Sequence, residues 1–287
     1  MLCVVIGVTT WTTAETQRHF DQGIVVDIDS KTLSVVISCQ AIPGYMEAME
    51  MPFKVRSSTV LKKLKVGTPV HFIMVEDGSE FSAERIEKLN TNGESEPIEA
   101  ARLDFVYRTL NPDADAKSIQ LGQLVPDFAL MDQEHRSVHL SQFKGKVVAL
   151  TFAYSRCPNP NYCFRLTNNL AQLRNRFPGK LADDLRMITI VIDPANDQGA
   201  ALQKYAQTWK ADPSQWYFLT GPIDRIRGVG ELFGMNFWND DGFWTHPFHT
   251  VVIDRNGRLA ANVEGNQFTA KQLGDLVQRA ARTDAAP

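Results

Sequence analysis

The sequence predicts two domains of different class, a small all-β domain followed by an α/β domain, and three observations carry that reading. Residues 19–89 hold several short apolar stretches separated by turn residues, residues 90–118 are polar and turn-rich, and from about residue 119 buried strand runs alternate with helical periodicity. A chain of 287 residues is long enough for two such units, and 44% hydrophobic with 22% charged residues is ordinary globular composition, which excludes disordered, collagen-like and coiled-coil classes. Thirty basic against thirty-three acidic residues leave a net charge of −3 with no basic stripe, so nucleic acid is not an expected partner. No apolar run reaches the roughly 18 residues that a membrane span needs.

The first segment, residues 1–18, opens Met1-Leu-Cys-Val-Val-Ile-Gly-Val8 and passes through Thr and Trp to Ala14. It reads as an export signal that lacks its basic start, with a buried strand and a lipid attachment at Cys3 as the open alternatives. Export implies a periplasmic location, with any membrane association left to a signal or anchor. In residues 19–89, strands are expected at Gly23–Ile28, Leu33–Ser38, Pro52–Val55, Pro69–Val75 and Phe81–Ile86, with turns at Asp29–Thr32, Lys65–Gly67 and Glu76–Ser79. Short strands at this spacing predict a small closed barrel, because closure removes open edges. Residues 90–118 read as a linker that carries one short strand, Leu103–Tyr107.

Residues 119–287 begin with a near-continuous apolar run, Val147–Tyr154, as a central strand covered on both faces requires. A helix follows from about Cys163, with Leu166, Leu170, Leu173 and Phe177 on one face and Pro178-Gly179 as its stop. Next come a strand at Met187–Ile192, a helix at Gly199–Lys210, a strand at Trp216–Thr220 and a helix at Pro222–Phe233. Thr250–Asp254 and Arg258–Glu264 pair through the turn Arg255-Asn-Gly257, and Thr269–Arg282 ends the domain as an amphipathic helix with a Thr cap. The order β-α-β-α-β-β-α, with a hairpin before the last helix, resembles that of thioredoxin-like domains.

Chemistry concentrates at Cys157-Pro-Asn-Pro-Asn-Tyr-Cys163, on the loop leaving the carboxyl end of the central strand. Cys163 falls near a helix N-terminus, where partial positive charge favours the thiolate that bonds metals and attacks disulfides. Five intervening residues exceed the two of a Cys-x-x-Cys redox motif and suit two sulfurs spread round a metal, although such a loop can still close to a disulfide. A third ligand is expected from His246 in Phe243-Trp-Thr-His-Pro-Phe-His249, with His249 as the competitor. Two thiolates and one imidazole suit copper, while zinc fits the same atoms but ordinarily takes a fourth ligand.

These residues resemble the Sco/SenC family of copper proteins. The matching features are Phe152-Ala-Tyr-Ser-Arg-Cys157-Pro with a second cysteine at the helix start, Ile192-Asp-Pro-Ala-Asn-Asp197, and His246 eight residues before Asp254. The resemblance implies copper delivery to a copper-accepting protein, namely the cytochrome c oxidase subunit that holds the binuclear copper site, or reduction of that site's cysteines. It makes Cys157, Cys163 and His246 the copper ligands and Asp193 a contributor to site electrostatics or docking. Asp193 reads equally well as a strand-end turn residue. The family motif has three residues between its cysteines where this chain has five.

A second soft-donor group lies in the barrel. Cys39-Gln-Ala-Ile-Pro-Gly-Tyr-Met46-Glu-Ala-Met49-Glu-Met51-Pro-Phe53 concentrates thioethers, and strand alternation puts Met49 and Met51 on one face. Thioether and thiolate donors favour Cu(I); ordinary core packing by methionine is the plainer alternative. The stretch resembles the small periplasmic copper-binding (OB-like) barrels of metal-efflux systems. Met49 and Met51 then stand at the Met-x-Met positions, Cys39 where a His is expected, and Met46 or Tyr45 where an aromatic residue is expected. The resulting reading is an exported copper chaperone rather than an enzyme. Its alternative is a thiol:disulfide oxidoreductase using Cys157 and Cys163, and a peroxidase would need Arg156 turned toward the thiol.

Overall fold

The computed structural model describes residues 16–89, 109, 118–177, 179–240 and 242–282. The leader reading of the first residues and the expected strand Leu103–Tyr107 lie outside the described residues. Five strands form the N-terminal unit: β1 (Gln17–Asp29), β2 (Ser34–Cys39), β3 (Glu50–Lys54), β4 (Pro69–Asp77) and β5 (Glu80–Lys88). They follow one another round a ring in the order β1-β2-β3-β5-β4. Four seams are antiparallel runs of five to eight residue pairs, but the seam that completes the ring is one parallel pair, Lys54 with Ser82.

That single pair corrects the expectation of a continuously closed barrel: the unit is a curled five-stranded sheet left largely unzipped between β3 and β5. The reason is the shortness of β3. The chain leaves it at Val55 for the helical turn α1 (Ser58–Leu61), and Leu61 and Leu64 fill the interior beside Val35, Ile37, Phe53, Phe72 and Met74.

The second unit is built on a five-stranded sheet. Its strands are β8 (Val147–Ala153), β9 (Leu185–Val191), β10 (Trp216–Leu219), β13 (His249–Ile253) and β14 (Leu259–Glu264), in the order β10-β9-β8-β13-β14. β8, β9 and β10 run parallel, while β13 is antiparallel to β8 and β14 to β13. Every residue of β8 is buried, and its one polar side chain, Thr151, is satisfied by the His249 carbonyl at 3.2 Å and the Thr250 hydroxyl at 3.1 Å. The helices are α2 (Arg165–Arg174), α3 (Lys180–Asp184), α4 (Gly199–Thr208), α5 (Ile223–Leu232) and α6 (Ala270–Arg282). The thioredoxin-like order expected for this half is the one observed. Two short hairpins were not expected: β6 (Ala129–Met131) with β7 (Ser137–His139), and β11 (Trp238–Asp240) with β12 (Phe243–Thr245).

The two units pack on each other through α6. Val25 points into the first core, whereas Ile24 and Val26 on the opposite face of β1 join the larger core of the second unit. That explains why β1 is buried at four successive positions instead of alternating. At Gly67, with φ +92°, a Cβ would meet the Asn262 backbone oxygen of β14 at 2.8 Å, so the turn before β4 approaches the second unit as only glycine allows.

Candidate metal centres

The first centre forms where β8 ends. Asn159 caps the next turn by accepting the Asn161 amide at 2.9 Å, Pro160 starts it, and Tyr162 leaves helical geometry (φ −102°, ψ −109°) so that Cys163 is tucked inward before α2 begins. Cys163 is buried and Cys157 half-buried, and both are free thiols. His246, buried ahead of β13, brings Nε2 to 3.8 Å from the Cys163 sulfur, while its Nδ1–H donates to the Pro247 carbonyl at 2.9 Å. The second bond leaves the Nε2 lone pair free on the thiol side. Metal–nitrogen and metal–sulfur bonds of about 2.0 and 2.3 Å at about 120° would set the two donor atoms about 3.7 Å apart. The donor chemistry and the observed spacing of Cys163 and His246 therefore fit one soft or borderline metal ion. Among the described residues no three His, Cys, Asp or Glu side chains already stand in ligating geometry, so a third donor such as Cys157 would have to move to join that pair.

Its loop is held at the base and, between the cysteines, at the Asn161 carbonyl, which accepts the Asn266 Nδ2–H at 2.7 Å. Arg156 donates to Asp193 Oδ2 through Nη2 at 2.7 Å and Nε at 3.2 Å, and Asn196 Nδ2 bonds both Asp193 oxygens at 3.0 Å. Asp197 accepts the Ser155 amide at 2.8 Å and also the Ser155 hydroxyl. Burial alone would raise the Asp193 carboxyl, but hydrogen bonds from Arg156, Asn196 and the Trp244 side chain outweigh it and hold it below the usual range. Asp193 thus ties the cysteine loop to the β12 strand that leads into His246. Arg156 is committed to Asp193 and is not turned toward the thiol, so the condition set for a peroxidase is not met.

The thiols differ from the sequence expectation. Cys157, not Cys163, is drawn toward thiolate, down to about 6, chiefly by the Cys163 thiol and against the upward push of burial, with the Cys163 amide and Tyr154 hydroxyl adding to the pull. Cys163 is pushed well up because it donates to Cys157 and is fully buried, and these outweigh its place near a helix start. Burial takes His246 down to about 4 and so keeps it neutral. His249 faces elsewhere, with Nδ1 at 2.9 Å from Asn262 Oδ1. Trp244 packs on Phe237 at 5.5 Å between ring centres, and His246 is bounded by Phe248 at 5.2 Å and Tyr154 at 6.4 Å.

The second group lies at one end of β2 and β3. Ser38 pairs with Glu50, and the Cys39 amide donates to the Met49 carbonyl at 2.9 Å, so Cys39 stands opposite Met49 and diagonal to Met51. Cys39 is fully buried and Met51 is 9% exposed, both in the core of the first unit, whereas Met49 is 48% exposed at its edge. Met46 packs against the same core across the tight Ile42–Met46 turn. Tyr45 turns outward, stacked on His19 at 3.9 Å and bonded to Glu76. Burial, then the nearby Asp21 carboxylate, push the Cys39 thiol far up. Sequence reasoning passed over Asp21 and Tyr154. The signal for Asp21 was a lone carboxylate in step with Gly23 and Val25 on the inward face of β1.

Comparison with known proteins finds two families in tandem. Residues 116–281 match the SCO1/SenC family and residues 19–88 match the family described as copper binding periplasmic protein CusF. An SCO1 protein homolog of Bacillus subtilis is 29% identical over 101 residues, which is 35% of this chain and 51% of that protein, so the chain spans about half of this relative. A crystal structure from Aquifex aeolicus VF5 shares the fold, with TM-score 0.50 and 20% identity over 56% of this chain and 94% of that one. Yeast Sco1, solved with copper bound, aligns at TM-score 0.48 and 21% identity over 56% of this chain and 90% of that one. Among the described residues no helix is long and apolar enough to cross a membrane.

Proposed function

The chain belongs to the SCO1/SenC family, and on that footing we propose that it is an exported copper chaperone that captures Cu(I) in its N-terminal unit and passes copper to a partner, the binuclear copper site of cytochrome c oxidase. The observation that carries this reading is Cys163 Sγ at 3.8 Å from a neutral His246 Nε2, with the Cys163 thiol hydrogen-bonded to the Cys157 sulfur. In this account Cys157, Cys163 and His246 hold copper as cargo, and the half-buried Cys157 is where an incoming ligand replaces a donor. Asp193 serves the site by holding Arg156 and Trp244 rather than as a ligand. Cys39, Met49 and Met51 form the capture site, entered at the exposed Met49 thioether and closed underneath by Met46. Thiolate and thioether donors with one imidazole are the combination that selects Cu(I) over hard cations.

The same thiols support a second reading, a thiol:disulfide oxidoreductase. Cys157 is a partly exposed thiolate and Cys163 a buried protonated partner, the division of labour between an attacking and a resolving thiol. Reducing a partner disulfide this way moves two electrons and the Cys163 proton from the pair, leaves a Cys157–Cys163 disulfide, and releases the partner's second thiol as a thiolate that takes its proton from solvent. Both activities serve one outcome, since a cysteine copper site must be reduced before it accepts metal. Anaerobic Cu(I) titration against a competing chelator separates them. The chaperone reading expects two tight equivalents in the whole chain, one lost in Cys157→Ser/Cys163→Ser and the other in Met49→Leu/Met51→Leu. Unchanged Cu(I) binding in the cysteine variant, together with loss of disulfide exchange, would transfer the function to the oxidoreductase.

A further inference from the structure

The soft-donor face of β2 and β3 has a reverse side, and the second unit grips it. Ser38 precedes Cys39 and Glu50 lies between Met49 and Met51, so these two outward residues back the inward donors. Both are held by α6. Gln272, buried, donates Nε2–H to the Ser38 carbonyl at 2.9 Å, and its Oε1 accepts the Thr269 amide at 2.9 Å to cap the same helix. Asp275, buried, accepts the Ser38 hydroxyl at 2.6 Å and the Lys271 ammonium at 3.1 Å. One turn on, Arg279 reaches Glu50 at 3.5 Å and Asp27 at 2.9 Å.

Asp275 is fixed in turn by Arg176, just beyond the end of α2, the helix that follows Cys163. Arg176 lies flat across Gly274, where a Cβ would meet its Cδ at 2.5 Å.

We propose that Gln272 and Asp275 are positioning residues for the capture site of the other unit. By holding Ser38 at both its carbonyl and its hydroxyl, they fix the Cys39 end of β2 against β3 and so set the thiol–thioether spacing presented to Cu(I). This rests on the assignment of Cys39, Met49 and Met51 as donors. A ligand held within a fraction of an ångström by a buried partner behind it is the general requirement for tight soft-metal binding, and here that partner belongs to a different domain.

The test uses the full chain in a Cys157→Ser/Cys163→Ser background, so that only the capture site is read, by Cu(I) competition and by thiolate-to-copper charge-transfer absorption. Ser38→Thr keeps a hydroxyl for Asp275, whereas Ser38→Val has the same shape without it. The proposal expects Thr to stay within about threefold of the parent and Val to bind about tenfold more weakly, with a weaker or displaced charge-transfer band. Gln272→Met, remote from the donors, is expected to weaken binding in the same direction and keeps the test decisive should Ser38→Val not fold. Equal affinity and equal spectra for Thr and Val, or for Gln272→Met and the parent, would overturn the positioning role. A Cys39→Ser variant that still binds Cu(I) like the parent would overturn the donor assignment instead, and the proposal with it.

Discussion

The two candidate centres present similar donor types in opposite settings. In the second unit the sulfurs sit on a loop, one is half-buried and already near its thiolate form at neutral pH, and its partner imidazole is neutral and aimed. In the first unit Cys39 and Met51 sit on paired strands with Met49 just ahead of β3, the thiol is sealed in the core, and Met49 is the exposed thioether. A loop site can exchange ligands because its backbone yields, whereas a strand site keeps its spacing because a ladder holds it. If the first site captures and the second releases, as proposed, the difference lies in mechanical support rather than in donor type.

The largest effect that could break this contrast is in thiol reactivity. With no copper present, Cys157 should be alkylated by iodoacetamide at pH 7 at least about a thousandfold faster than Cys39, because rate follows thiolate fraction and access. Cys157 lies at about 6, lowered from its ordinary value, so its thiolate prevails above that pH and is lost below it. Its alkylation rate should therefore be flat from pH 7 upward and fall as pH drops through about 6, read by peptide mass spectrometry. Comparable rates at Cys39 would erase the distinction.

Next in size is the imidazole. His246→Ala should weaken Cu(I) binding at the loop site by about 10- to 100-fold, while His249→Gln leaves it within about twofold, as chelator competition would report. A smaller loss, about tenfold at the loop site alone, is expected for Asp193→Asn, which loosens Arg156 and Trp244 together without touching a donor. The smallest effect lies where the two units meet. Gly67→Ala should cost about 1 to 2 kcal/mol in urea unfolding, since the residue has φ +92° and faces the Asn262 backbone.

Much of this was legible in the sequence where one local rule governed. The Val147–Tyr154 run, the Leu166, Leu170 and Leu173 spacing and the Arg255-Asn-Gly257 turn each specify their element without help from the rest of the chain. The hairpins β6–β7 and β11–β12 were missed because strands of three residues carry no usable alternation. The unzipped β3–β5 seam depends on a non-local parallel approach that no local signal encodes. At the site, residue types and loop placement were readable, but which thiol ionises was not. The helix-terminus argument for Cys163 accounts for one field and not for burial or for a proton donated to Cys157. Gln272 and Asp275 read as the wet side of an amphipathic helix until a second domain covers them. The unbroken Gly23-Ile-Val-Val26 run of β1 is the trace that cover leaves in the sequence.

The most direct test of two differently built centres is X-ray absorption on the Cu(I)-loaded full chain in two forms, Cys157→Ser/Cys163→Ser and Cys39→Ser/Met49→Leu/Met51→Leu. The account predicts sulfur-only coordination in the first form and mixed sulfur and imidazole nitrogen in the second. An imidazole signature retained when the loop cysteines are gone, or none when they alone remain, would contradict it.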